Sequence, residues 1–150
     1  MNRRHGIIIV FLCIFSLHTC LHRGAQEREE EVRPRYNFKL LAYDENIKNP
    51  QSDRRSFYKV YIDKIETGRT TIGLESQIKS FETRLSSNRH LLIVEKWVLS
   101  EKKKKYIKLN NIDQPKPHFF YFTLTRESAV VITMRNDVES RKASFHIEYQ

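Results

Sequence analysis

The chain has 150 residues, 39% hydrophobic and 11% aromatic, which suits one folded domain with a modest core and excludes a wholly disordered chain. Its formal net charge of +9 permits attraction to anionic lipid, acidic polysaccharide or nucleic acid without choosing between them, and Arg3 and Arg4 supply two of those charges. Both cysteines, Cys13 and Cys20, lie near the N-terminus, which excludes a disulfide framework, a cysteine nucleophile and a cysteine zinc site in the remainder.

In chain order, the basic "MNRRHG" precedes "IIIVFLCIF", residues 7–15. Extended to Leu17 this apolar run covers 11 residues, short of the roughly 20 that span a bilayer. Positive charge followed by a short apolar run is the pattern of a signal peptide, here residues 1–19. Small residues are wanted at −3 and −1 of an ordinary cleavage site, and neither Leu17/Thr19 nor Arg23/Ala25 supplies the pair. The run Leu17-His18-Thr19-Cys20 instead resembles a bacterial lipobox of the looser, spirochaete type, in which the cysteine is lipid-modified. Thr19 and His18 depart from the usual lipobox residues, and plain secretion is the alternative. The resemblance implies a diacylglyceryl thioether and an N-acyl chain on Cys20. One acyl chain alone binds a membrane only marginally, at about 0.8 kcal/mol per buried CH₂.

Residues 20–35 read as a tether. Glu27, Glu29, Glu30 and Glu31 mix with Arg28 and Arg33, and Pro34 ends any helix there. Strand signals then dominate residues 36–150. They comprise "YNFKLLAY" (36–43), "FYKVYID" (57–63), "TTIGL", "KSFETRL", "HLLIVEKWVL" (90–99), "YIKLN", "HFFYFTL" (118–124), "SAVVITMR" (128–135) and "ASFHIEY" (143–149). Polar turns separate them, among them "DENIKNPQSDRR", "SSNR", "SEKKKK" and "NDVESRK". The expectation is an all-β domain, an antiparallel β-sandwich of about eight short strands.

One segment carries a family resemblance, within residues 57–99. Val60, Tyr61, Ile62 and Asp63, then Gly68, Thr70 and Ile72, then His90, Leu92 and Val94, resemble the strand and turn pattern of the PEGA domain family. Lys64 stands where that pattern has glycine, and Ser87-Asn88 stands where it has Pro-Gly; Asn88 is expected to tolerate a left-handed turn. The resemblance implies a small β-sandwich module of envelope and surface proteins with no shared catalytic residues.

No G-x-S-x-G, P-loop, G-x-G-x-x-G or H-E-x-x-H motif is present, and four glycines leave little material for a phosphate-cradling loop. His90, His118 and His146 are evenly spaced but read as surface or edge histidines rather than zinc ligands. Lys102, Lys103, Lys104 and Lys105 form the densest positive run, flanked by Trp97 and Tyr106. They suit contact with an acidic polymer, or simply a solvated hairpin tip that resists edge-to-edge pairing. In "HFFYFTL", Phe119 and Tyr121 face opposite to Phe120 and Phe122, and burial of both sets is expected.

These readings combine into a lipid-anchored bacterial envelope protein, placed at the outer membrane, with a non-catalytic binding or structural domain and no cofactor. The alternative is a secreted or surface adhesin for acidic polysaccharide or host proteins. The expected partners are a membrane, through the lipid, and an acidic polysaccharide or an envelope or host protein; nucleic acid is not expected.

Overall fold

A computed structural model describes residues 36–150; the expected signal peptide, Cys20 and the expected tether lie outside the described residues. Alternating apolar and polar side chains make each segment a strand with one buried face. The strands are β1 (Phe38–Glu45), β2 (Arg55–Ile62), β3 (Ile65–Arg69), β4 (Gly73–Leu74), β5 (Lys79–Thr83), β6 (Arg89–Ser100), β7 (Lys105–Lys108), β8 (Phe119–Thr123), β9 (Val130–Asp137) and β10 (Lys142–Tyr149). A single 3₁₀ turn, Pro50–Ser52, lies between β1 and β2.

Two sheets pack face to face. The first runs β10-β9-β1-β5. The second runs β3-β2-β6-β7, with β4 added to β2 and β8 added to β6. The expected all-β sandwich is therefore present, with two refinements. Ten strands are formed among the described residues: β3 arises in "IETGR", between two strand signals, while β4 keeps only the end of "TTIGL". One pairing is parallel: β1 runs beside β9 in register Phe38↔Val130 to Glu45↔Asp137. β2–β6 is the longest antiparallel pairing of the second sheet, from Ser56↔Val98 to Ile62↔Leu92.

Between the sheets, Tyr58 and Val60 of β2 and Leu92 and Val94 of β6 meet Leu40 and Ala42 of β1 and Ile132 and Met134 of β9, all fully buried. Complete burial of one such aliphatic side chain contributes about 1.5–3 kcal/mol. Gly68 of β3 makes room for Phe81 of β5 in the opposite sheet. A Cβ there would lie 2.6 Å from Phe81 Cε2.

The β2–β3 hairpin turns on Asp63 (φ 53°) and Lys64 (φ 70°), with Ile62 paired to Ile65. Two positive φ values are what a type I′ turn requires, and glycine normally supplies the second. Asn88, by contrast, is not left-handed; its Oδ1 accepts the Arg89 N–H at 3.0 Å, so Ser87-Asn88 turns the chain without a positive φ.

Candidate functional site: an aromatic-cationic face and an ionic end

The lysine run occupies the β6–β7 hairpin tip. Lys102, Lys103, Lys104 and Lys105 are all exposed. Lys103 N–H reaches Ser100 Oγ, Lys104 pairs with Glu101 at 3.0 Å, and Lys105 opens β7 opposite Ser100. Exposed pairs of this kind stabilise little.

Beside that tip, the outward face of the second sheet carries the exposed Phe119 and Tyr121, the half-buried Tyr61, Trp97 and Tyr106, and the buried Phe57. Odd-numbered residues of β6 point outward, and the register sets Phe57 beside Trp97, Tyr61 beside Ile93, Tyr106 beside Leu99, and Tyr121 beside Leu91. Phe57 stacks on Trp97 with centroids 6.1 Å apart, and Tyr106 meets Phe57 edge-on at 5.1 Å. Arg69 lies 5.2 Å over the Phe57 ring and Lys59 5.1 Å over Trp97. Along the same face, Arg89 lies 4.8 Å over Tyr121, with Phe119 beside it. Each cation–π contact contributes about 0.5–1 kcal/mol in such exposed settings.

Between the two aromatic groups, Glu95 accepts from Tyr61 Oη at 3.0 Å and pairs with Lys108. Partial burial and the Glu95 carboxylate push the Tyr61 phenol up to about 12. A recess of about 420 Å³ opens where β7 ends and β8 begins, and Lys108, Lys116 and His118 line it. Burial of both faces of "HFFYFTL" is corrected here. Phe122 is buried and Phe120 packs against the core, but Phe119 and Tyr121 are 46% and 52% exposed. The physical reason is that β8 lies on the rim of its sheet and nothing is layered over that side.

The histidines do not converge. His90 is buried rather than superficial. Its Nδ1 faces Asp63 Oδ2 at 2.7 Å and its Nε2 faces Ser86 O at 2.9 Å, tying the β2–β3 turn to the segment before β6. A backbone bond from Leu91 and the His90 contact hold the Asp63 carboxyl below its usual range. His118 stands edge-on to Phe119, and His146 lies on β10 near Glu148. Among the described residues no group of three or more His, Cys, Asp or Glu side chains is arranged to hold a metal ion.

A second cluster lies at one end of the sandwich. Asp44, Asn136 and Lys96 take inward positions on β1, β9 and β6, immediately after runs of inward apolar residues. Lys96 Nζ bridges the Asp44 carboxylate and Glu75 Oε1, the latter at 2.6 Å. Asp44 Oδ1 also accepts from Tyr58 Oη at 2.7 Å and Asn136 Nδ2 at 2.8 Å. Glu75 Oε2 accepts the Arg54 backbone N–H and Nε, and Oε1 accepts Nη2. Burial alone would raise the Glu75 carboxyl, but the Arg54 hydrogen bonds and the Lys96 charge outweigh it and hold it below its usual range. Lys79, with no exposed surface, donates to the carbonyls of Leu74, Glu75 and Gln77 at 2.7–2.9 Å. Burial pushes its amine down to about 8, against the pull of Asp44.

The sequence reading missed this cluster. Its signal was present: continuing the inward alternation of β1, β6 and β9 puts Asp44, Lys96 and Asn136 on the core face. A cavity of about 540 Å³ opens above Lys96 and Glu75, between the loops that follow β1, β7 and β9. Comparison of the chain with family models, curated proteins and solved structures gives no match.

Proposed function

We propose that the chain is a lipid-anchored envelope protein whose β-sandwich is a binding module, with the outward face of the second sheet as its contact surface. The observation that carries the binding role is that face: aromatic rings and cations alternate along it from Arg89 and Tyr121 to Trp97 and Tyr106, with Arg69 laid over the buried Phe57. Aromatic faces suit stacking on the apolar faces of sugar rings, and guanidinium groups suit their acidic substituents. Arg69 and Arg89 pair with no carboxylate among the described residues, so each keeps its charge for a partner. Acidic polysaccharide is the ligand class this favours. The lysine tip adds long-range attraction at one end of the face.

The position of Cys20, after a signal-like run and before a charged tether, supports anchoring at the bacterial envelope. The PEGA-like pattern over Val60–Lys96 supports the same placement, since it covers β2 to β6. Radiolabelled palmitate tests the anchor: label enters the wild-type chain and not Cys20→Ala. Equal labelling of both, or none in either, removes the anchor.

Retention on immobilised heparin tests the surface. Arg89→Ala combined with Tyr121→Ala elutes at clearly lower salt than wild type, and Lys102–Lys105→Ser shifts elution less. Unchanged elution of the Arg89/Tyr121 variant removes the face as the contact surface.

A further inference from the structure

The cavity at the ionic end has the size of a small-molecule site, at about 540 Å³. Its floor is polar and buried: Lys96, Glu75, Asn136 and Gln114 are each at most 8% exposed. Its wall includes Ile47, Leu109 and Val138. Buried ion clusters are weak contributors to stability, and hydrophobic replacements of similar volume are often as stable or more so. Such a cluster at the base of an open cavity calls for another reason to exist.

Most of the bonding capacity left in the cavity is that of donors. Both Glu75 oxygens are occupied by Arg54 and Lys96. Asp44 is occupied by Tyr58, Asn136 and Lys96. Asp137 Oδ1 accepts the Glu139 and Ser140 N–H groups, and Asp113 Oδ2 accepts from Asn110, which leaves the second oxygen of each and Asn136 Oδ1 as the open acceptors. Gln114 gives both amide hydrogens to the carbonyls of Lys96 and Leu109. Donors remain: the outer Arg54 nitrogen, one hydrogen of Lys96 Nζ, and all of Arg141, which pairs with no carboxylate among the described residues.

Arg141 is also strained. Its φ is 57° at the end of the β9–β10 turn, a left-handed position that glycine fills without strain. An arginine held there, at a position that lines the cavity, gives up stability for a charged fork in that place.

We propose that this cavity binds a small monocarboxylate with a compact body, with Arg141 as its principal contact. A monoanion fits better than a phosphate dianion. Arg54 and Lys96 already share the charges of Glu75 and Asp44, and Asp113 and Asp137 stand on the rim.

Isothermal titration of the full chain tests this with D-glucuronate as probe, D-glucose as the same ring without charge, and inorganic phosphate as the dianion. Glucuronate binds, and glucose and phosphate bind at least tenfold more weakly. Arg141→Gly weakens glucuronate at least tenfold while raising the melting temperature by a few degrees. Arg141→Lys, which keeps the charge but not the fork, retains part of the affinity. His146→Ala, exposed on β10 and outside both this cavity and the outer face, leaves glucuronate affinity unchanged. Absence of heat from glucuronate at about 10 mM, glucose or phosphate binding as tightly, full affinity in Arg141→Gly, or loss of affinity in His146→Ala would each overturn the proposal.

Discussion

At one end of the sandwich Phe38 stacks on Phe122 with centroids 5.2 Å apart, and Val130 and Leu124 complete an apolar layer. At the other end the same two sheets present Asp44, Asn136 and Lys96 to one another, with Glu75 and Lys79 brought in from the segment around β4 and β5. The strands that span both ends are β1, β6 and β9, so each changes character along its length while keeping its period of two. The apolar end is held by area, and its parts contribute nearly independently. The ionic end is held by completeness, because each buried charge is tolerable only while its partners are in place. A molecule needing stability alone has no use for the second arrangement, which is why the ionic end invites a functional explanation.

Substitutions at the two ends separate these behaviours. Lys96→Met leaves two buried carboxylates without their bridge and destabilises the fold by about 3–5 kcal/mol in urea titration. Replacing Asp44 and Glu75 by Leu in the same chain recovers part of that loss, because the stranded charges are gone while Tyr58 Oη and Asn136 Nδ2 lose their acceptor. Failure to recover would show that the ionic end is a structural requirement. At the apolar end, Ile132→Ala costs about 3 kcal/mol, and no second substitution at a distance restores it.

Glu75→Gln is a milder break. It removes charge-assisted bonds and costs about 2 kcal/mol at neutral pH. The depressed Glu75 carboxyl contributes stability that is fully present above its unfolded value near 4.5 and is lost as pH falls through its lower folded value. The difference between wild type and Glu75→Gln therefore shrinks in acid; a difference that stayed constant with pH would assign it to packing. Lys64→Gly relaxes the left-handed turn residue and stabilises by about 1 kcal/mol, read as a shift in the urea midpoint. Tyr121→Ala, on the outer face, costs about 0.5–1 kcal/mol, the size of its contact with Arg89, and is read on heparin instead.

Much of the fold was legible because burial of one strand face writes itself as alternation. "HLLIVEKWVL" and "SAVVITMR" became β6 and β9 nearly as read. The parallel β1–β9 pair was not legible, since nothing local in either strand names a partner so far along the chain. β3 was hidden by its composition: "IETGR" has a single large apolar residue, and its place is fixed by the Asp63-Lys64 turn and by Phe81 beneath Gly68. The lysine tip was found because it is a run, and runs show in one dimension. The aromatic-cationic face and the ionic end are built from residues dozens of positions apart, such as Phe57 with Trp97 and Asp44 with Lys96 and Asn136. Their assembly depends on register, which only the folded sheets supply.

The β1–β9 pairing also sets an order of events in the life of the chain. β1 is made first among the described strands, yet its parallel neighbour begins at Val130, and Asp44 meets Asn136 across 92 residues. Until those last strands are synthesised, β1 has only β5 beside it, too little to close a sheet over the core. Long-range pairing of this kind slows folding and defers it until β9 has been made. The first sheet therefore cannot close over the core until β9 and β10 are available to it.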